Sequence, residues 1–317
     1  LSRLDSALII EELAKGCTST AAYISIHNMA FNMLTKYAKS TLLETWSEGL
    51  ASGQRLASYC LTEPGAGSDA ASLTTKASKD GDDYVINGGK MWTTNGNRAD
   101  FMCLLANTGE ENGPHKNKSL IIVPMDTKGV DRGTKLRKMG FWSSDTAQVF
   151  LDDVRVPQSY RIGEEGMGFI YQMQQFTEER LFGASRTIIQ MQELLDETAE
   201  YLRERIAFGK PLLDNQWINY TLADLATEIA CLRALVHSCV EGYVAGEDVR
   251  LRTAQAKLTA GKLVRKVPDQ CLQFWGGAGY LWDARVSRML RDARLVAIGG
   301  GANEVMMQII ARELGYQ

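Results

Sequence analysis

Histidine is scarce in this chain: only His27, His115 and His237 occur in 317 residues. None stands at metal-ligand spacing from another, so a histidine metal centre is not expected. The six cysteines, at 17, 60, 103, 231, 239 and 271, form no C-x-x-C pair. That fits neither a disulfide scaffold nor a zinc ribbon, and free thiols in a reducing compartment are expected. No apolar run reaches the roughly 20 residues needed to cross a bilayer, so a soluble chain without a membrane span is expected. Positive charge is not in excess. The 35 Lys and Arg stand against 38 Asp and Glu for a net charge of −3, which offers nucleic acid no general attraction. No strand runs through G-x-G-x-x-G into a helix, so a nicotinamide-binding Rossmann unit is not supported. The helical pattern begins at Leu1 with no charged-then-apolar leader before it, so no targeting peptide is expected.

Hydrophobic residues make up 45% and charged residues 23%, as in ordinary globular chains. The length suits about two domains with full cores. Residues 1–58 read as helical, with Leu4, Leu8, Ile9, Ile10 and Leu13 near a 3.6-residue period and a second stretch around Met29 to Leu43. Residues 59–160 read as strands, at Tyr84 to Asn87, Phe101 to Ala106, Ser119 to Pro124 and Gln148 to Leu151. Asp80-Gly81 and Asn87-Gly88 are read as hairpin turns of a mostly antiparallel sheet. Residues 161–317 return to long helices, near Arg180 to Arg205, Ile218 to Val244, Ala254 to Phe274 and from Asn303, which suggests a four-helix bundle. The fold class expected is α+β in the order helix, sheet, helix.

Two motifs carry chemistry. In YCLTEPGAGSD (Tyr59 to Asp69), Pro64, Gly65 and Gly67 favour a turn poor in side chains, and Ser68 adds a hydroxyl, which suits a phosphate or pyrophosphate. Taken alone, the loop reads equally as an ordinary turn. KMWTTNG (Lys90 to Gly96) sets a flat aromatic beside two hydroxyls, a set suited to covering a planar ring system.

Together with RIAFGKPL (Arg205 to Leu212), LQFWGGAGY (Leu272 to Tyr280) and the terminal GGANEVMMQIIARE, these motifs closely resemble the acyl-CoA dehydrogenase family of flavoproteins over essentially the whole chain. The resemblance implies an N-terminal helical domain, a central β domain and a C-terminal four-helix bundle, with FAD held by the last two. It implies that Tyr59, Leu61, Thr62, Gly67 and Ser68 line the flavin and its diphosphate. Trp92 would pack on the isoalloxazine, with Thr93 and Thr94 beside it. Arg205, Phe208, Gln216, Gln273, Gly276 and Gly277 would hold the adenine half of a neighbouring subunit's FAD, so a homotetramer is implied; Ala302 and Glu304 complete the cofactor set. Ser68, Ser144, Thr177, Arg180 and Gly301 match positions that contact the acyl-CoA, and Arg180 reads equally as a structural ion-pair partner.

Many family members carry the catalytic glutamate in Y-E-G-T before the last helix. Here that stretch is Gly299-Gly300-Gly301-Ala302, and the carboxylate is missing. The isovaleryl and long-chain branches place the base on a bundle helix, and by that resemblance Glu179 of Thr177-Glu178-Glu179-Arg180-Leu181 takes the role. Glu178 lies about 100° further round the helix and is expected to face elsewhere; a chain with no functional base is the remaining alternative. A glutamate enclosed by apolar groups should have its pKa raised. The resemblance gives the Gly300 amide to the enolate oxygen, and the glycines leave free amides before a helix capped by Asn303.

The implied reaction is α,β-dehydrogenation of an acyl-CoA to a trans-2-enoyl-CoA, with electrons passing to an electron-transfer flavoprotein. LSRLD and GCTSTAAYISIHNM resemble the isobutyryl branch, whereas Glu179 resembles the isovaleryl and long-chain branches, so branched or long acyl groups are expected. Ala22 and Ser25 are read as possible pocket residues. The family pattern sets a helical segment ahead of Leu1, so the N-terminal domain is expected to be incomplete. A catalytically impaired relative and a flavin oxidase or monooxygenase stay open. Mitochondrial matrix is expected in a eukaryote and cytoplasm in a bacterium.

Overall fold

The computed structural model describes residues 3–109 and 113–316. Helices α1 (Arg3–Gly16), α2 (Thr18–Tyr37) and α3 (Ser40–Ala51) precede strands β1 (Ala57–Cys60), β2 (Lys76–Asp80), β3 (Asp83–Thr94), β4 (Phe101–Asn107), β5 (Lys118–Pro124), β6 (Val130–Asp131), β7 (Thr146–Pro157) and β8 (Arg161–Ile162). Then follow α4 (Gly168–Glu204), the short strands β9 (Ile206–Ala207) and β10 (Lys210–Pro211), and helices α5 (Gln216–Val244), α6 (Arg250–Trp275), α7 (Arg285–Ala293) and α8 (Asn303–Glu313). This is the helix, sheet, helix order expected. Two compact units divide the chain. One takes Leu1–Ala21, Met139–Phe141 and Thr177–Gln317, and the other takes Ala22–Lys138 and Trp142–Phe176.

The helical unit is built on apolar stripes. On α5, Ile218, Leu222, Leu225, Ile229, Leu232, Val236 and Val240 are buried, at the three- and four-residue steps that line one helix face. Asn215 starts this helix, its side chain accepting from the Trp217 amide at 3.0 Å. On α6, Ala256, Ala260, Val264, Val267 and Cys271 meet the α5 stripe in one core with Leu181, Ala184, Ile188 and Leu195 of α4. Helix α4 begins well before the expected Arg180. Gln172, Gln175, Thr177 and Glu178 are polar yet buried, so the apolar period fades there while the helix continues. Asn303 does not cap α8 as expected. Ala302 occupies the cap without a side-chain bond, and Asn303 packs on α6, its Oδ1 lying 2.1 Å from where a Cβ at Gly261 would stand.

In the other unit the strands run β6-β7-β3-β2-β4-β5-β8, with β1 beside β4. Most ladders are antiparallel, as expected, whereas β1 and β2 each pair β4 in parallel. Alternation sorts the core. Phe101, Cys103, Leu105, Leu120 and Ile122 face α2 and α3 through Met33, Leu34 and Trp46. Met102, Leu104, Ile121 and Val123 point the other way, onto Ile86, Val149 and Val154 of β3 and β7. Asp80-Gly81 does turn the β2–β3 hairpin, with Asp80 opposite Asp83. Asn87-Gly88 does not turn. It lies inside β3 at a register shift against β7, where Gly88 has a φ of 148° and a Cβ would sit 2.5 Å from Thr75 Oγ1. The glycine serves this close approach. The Asn87 side chain bridges to Asp153 instead, donating to Oδ1 at 3.0 Å and accepting from the Asp153 amide at 2.9 Å.

A buried ion pair ties the Tyr59–Asp69 loop to β3. Lys90, with none of its surface exposed, donates to Glu63 Oε1 at 2.8 Å and to the Leu61 carbonyl at 3.1 Å. Glu63 also accepts from the amides of Thr74 and Thr75 and from the Thr74 hydroxyl. Burial alone pushes this carboxyl up, but the Lys90 charge and these bonds outweigh it and hold it at about 2.

Removing one partner of such a pair strands the other. Lys90→Met is expected to cost about 3–5 kcal/mol, read as a lower midpoint in urea unfolding. In the wild type the Glu63 contribution is present above its unfolded value of 4.5 and fades as pH falls toward about 2. Gly261→Ala drives a methyl into Asn303 and is expected to cost about 1–3 kcal/mol, seen in the same measurement.

Candidate active site

In the sheet unit, the two motifs singled out in the sequence are brought together. Besides the Lys90–Glu63 pair, the Met91 amide donates to the Thr62 carbonyl at 2.8 Å, and the Ser58 hydroxyl donates to the Thr94 carbonyl at 2.7 Å. Glu63 and Ala66 exchange backbone bonds across the turn, and open space lies where Cβ atoms of Gly65 and Gly67 would stand. Tyr59 is buried, Leu61 and Thr62 are half-buried, and Gly67 and Ser68 are exposed. Trp92 is 59% exposed and has a φ of 60°, a backbone state uncommon for a bulky residue. Thr93 is buried and Thr94 half-buried beside it. A bare aromatic next to a side-chain-poor turn fits a planar ring carrying a phosphate group. Ser144 is buried, its hydroxyl reaching the Asp145 carbonyl at 3.5 Å.

In the helical unit, α4 carries Thr177, Glu179 and Arg180, and the loop before α8 carries Gly300, Gly301 and Ala302. The structure brings helix and loop together. A Cβ at Gly300 would lie 3.4 Å from Glu179 Oε1, and one at Gly301 would lie 3.8 Å from Arg180 Nε. Thr177 is buried, while Glu179 and Arg180 are half-buried. Glu178 is buried on a different face of α4, as its 100° step requires. Desolvation pushes the Glu179 carboxyl above its ordinary value, and the charges of Arg180, Lys257 and Arg186 pull it back only in part. Burial draws Arg186 down to about 10, against the pull of Glu179. The Arg186 guanidinium also sits 5.7 Å from the Phe141 ring centroid, and the Phe141 amide donates to Asp292 at 2.6 Å.

Sequence reasoning missed Lys257 and Arg186. Lys257 had left a signal, since it falls in phase with Ala254, Ala260, Gly261 and Val264 on the buried stripe of α6, where an unpaired lysine is seldom tolerated.

The remaining candidates belong to the same unit and are exposed. Phe208 stands fully exposed at the tip of the β9–β10 hairpin with a φ of 53°. Arg205 precedes that hairpin and Gln216 opens α5. Gln273, Gly276 and Gly277 close α6, whose end is fixed to α4 by Tyr201 stacked on Trp275 at 4.0 Å and by the Trp275 indole donating to Thr198 at 3.0 Å. Glu304 is exposed in the first turn of α8.

Three family profiles match the chain in order: acyl-CoA dehydrogenase, N-terminal domain, over residues 1–54; middle domain, over 58–154; and C-terminal domain, over 166–315. The isobutyryl-CoA dehydrogenase of Dictyostelium discoideum mitochondria is 38% identical over 315 residues, 99% of this chain and 76% of that one. The mitochondrial long-chain specific acyl-CoA dehydrogenase of Sus scrofa is 36% identical over 316 residues, 98% of this chain and 73% of that one. The crystal structure of an acyl-CoA dehydrogenase from Geobacillus kaustophilus superposes with a TM-score of 0.97 at 36% identity, covering 99% of this chain and 83% of that one. The chain belongs to the acyl-CoA dehydrogenase family.

Proposed function

We propose that this enzyme removes hydrogen across the α,β bond of a branched or long acyl-CoA, with Glu179 as the base. The observation that carries the reading is the placement of Glu179 Oε1 against Gly300, with a raised proton affinity. Where many relatives carry a carboxylate on the loop, this chain has a glycine whose φ is 64°, and the α4 carboxylate stands 3.4 Å from where its Cβ would be.

Family members are FAD-dependent, and the Trp92 face with the Gly65–Gly67 turn supports the same cofactor here; when bound, FAD accepts the hydride. Tyr59, Leu61, Thr62, Gly67, Ser68 and Thr93 would line the flavin and its diphosphate, with Trp92 against the ring and Thr94 near its reactive nitrogen. Glu179 takes the α-proton on its carboxylate. As that proton leaves, charge grows on the thioester oxygen, and the Gly300 amide donates to it, a donor fixed before the reaction begins. Loss of the β-hydrogen as hydride then leaves a trans-2-enoyl-CoA. Ser68, Ser144, Thr177, Arg180 and Gly301 position the acyl-CoA, and Ala302 and Glu304 border the cofactor. The exposed Arg205, Phe208, Gln216, Gln273, Gly276 and Gly277 would clasp the adenine half of FAD in another subunit of a homotetramer. An electron-transfer flavoprotein is the proposed acceptor.

The test is anaerobic addition of isobutyryl-, isovaleryl- and long-chain acyl-CoA to the FAD-loaded protein. Loss of the flavin's visible absorbance is expected with at least one of them. A flavin that never bleaches, or that yields peroxide rapidly in air, rejects the reading.

Glu179→Gln is expected to keep FAD and slow bleaching about 10²–10⁴-fold. Since the folded state binds the Glu179 proton more tightly than the unfolded chain, the charged carboxylate opposes folding as pH rises above 4.5. The same variant should therefore melt no lower than wild type at pH 8. Gly300→Ala meets the left-handed penalty of about 1–2 kcal/mol and presses a methyl on the carboxylate. It should lower the melting temperature slightly and the bleaching rate strongly, both measurable on one preparation.

A further inference from the structure

Lys257 is only 2% exposed, and a buried ammonium persists only where its charge and donors are met. Its Nζ donates to the carbonyls of Val296 at 2.5 Å, Gly299 at 3.1 Å and Gly301 at 3.1 Å. An ammonium has three N–H groups, so each is committed to the loop that carries Gly300. A trans peptide sets its N–H opposite its C=O. With the Gly299 carbonyl held by Lys257, the Gly300 amide hydrogen is turned away from the lysine. The Gly301 carbonyl fixes the Ala302 amide in the same sense. The lysine also lies beside the carboxylate, because a Cβ at Gly300 would be 3.8 Å from Lys257 Cε and 3.4 Å from Glu179 Oε1.

We propose that Lys257 is a positioning residue for the dehydrogenation: by holding the carbonyls of Val296, Gly299 and Gly301 it aims the Gly300 amide, and its charge sets the field at Glu179. The role rests on the reading of Glu179 and Gly300 given above. The charges facing Lys257 are Glu179, Arg186 and Arg180, all from α4, and the loop offers it carbonyls alone. Burial draws the Lys257 ammonium down to about 8, Glu179 pushing it up and Arg186 and Arg180 adding to the fall. Above that pH the amine keeps two hydrogens for three carbonyls, and Glu179 loses a cationic neighbour.

The experiment uses the FAD-loaded full chain as wild type, Lys257→Met and Lys257→Arg, with amide hydrogen exchange of peptides spanning 296–304 and the pH profile of anaerobic bleaching. In wild type, protection of 296–304 should fall as pH passes about 8 while the α5 core stays protected. Lys257→Met should lose that protection at every pH, bleach about tenfold to hundredfold more slowly, and shift the acid limb of its profile upward. Lys257→Arg should restore the acid limb but not the full protection. Wild-type 296–304 that exchanges as fast as an unstructured peptide at pH 7, where the ammonium is intact, overturns the role even if neither variant folds. So does a Lys257→Met enzyme with wild-type rate and acid limb. A wild type that never bleaches instead sinks the underlying reading, and the role with it.

Discussion

Taking a carboxylate out of water raises its affinity for protons, and the helical unit is arranged around that cost at Glu179. Full neutralisation by a close ion pair would leave a weak base, and full burial without cations would leave a carboxylic acid. The chain holds an intermediate state. Arg180, Arg186 and Lys257 lower the proton affinity in part without overcoming desolvation. Two of these cations also have other work, Arg186 beside the Phe141 ring and Lys257 on three carbonyls.

The glycines before α8 belong to the same arrangement. Consecutive positive φ values at Gly300 and Gly301 let the loop present carbonyls to Lys257 on one side and leave amide hydrogens for the other. A side chain at position 300 would meet the Glu179 carboxylate.

Much of this was legible in the sequence where a local rule governed. The α5 stripe follows the helical period with little interruption, and Asp80-Gly81 turns a hairpin as its local signature specifies, its contacts to Arg155 and Gln158 leaving the turn intact. Asn87-Gly88 has the same local signature, but Thr75 and Asp153 claim its two residues from distant parts of the chain, and the strand runs on. The early turns of α4 were hidden because, past Phe169, their buried residues are glutamines, a threonine and a glutamate. Asn303 reads as a cap until the missing side chain at Gly261 offers it a place against α6. The position of Glu179 was visible only through the family motif; its three cations come from i+1 and i+7 on its own helix and from a residue 78 positions later in the chain, a spacing no local pattern encodes.

On the reading of the turn and Trp92 proposed above, the clasp between Lys90 and Glu63 has a consequence for how a large flat molecule would be received. Because the turn and the tryptophan strand are locked to each other through the protein interior, their relative order is established while the chain folds, and little conformational entropy remains to be surrendered when an occupant arrives. The receptacle should therefore outlast its contents: an emptied protein ought to keep the shape that lets it be refilled.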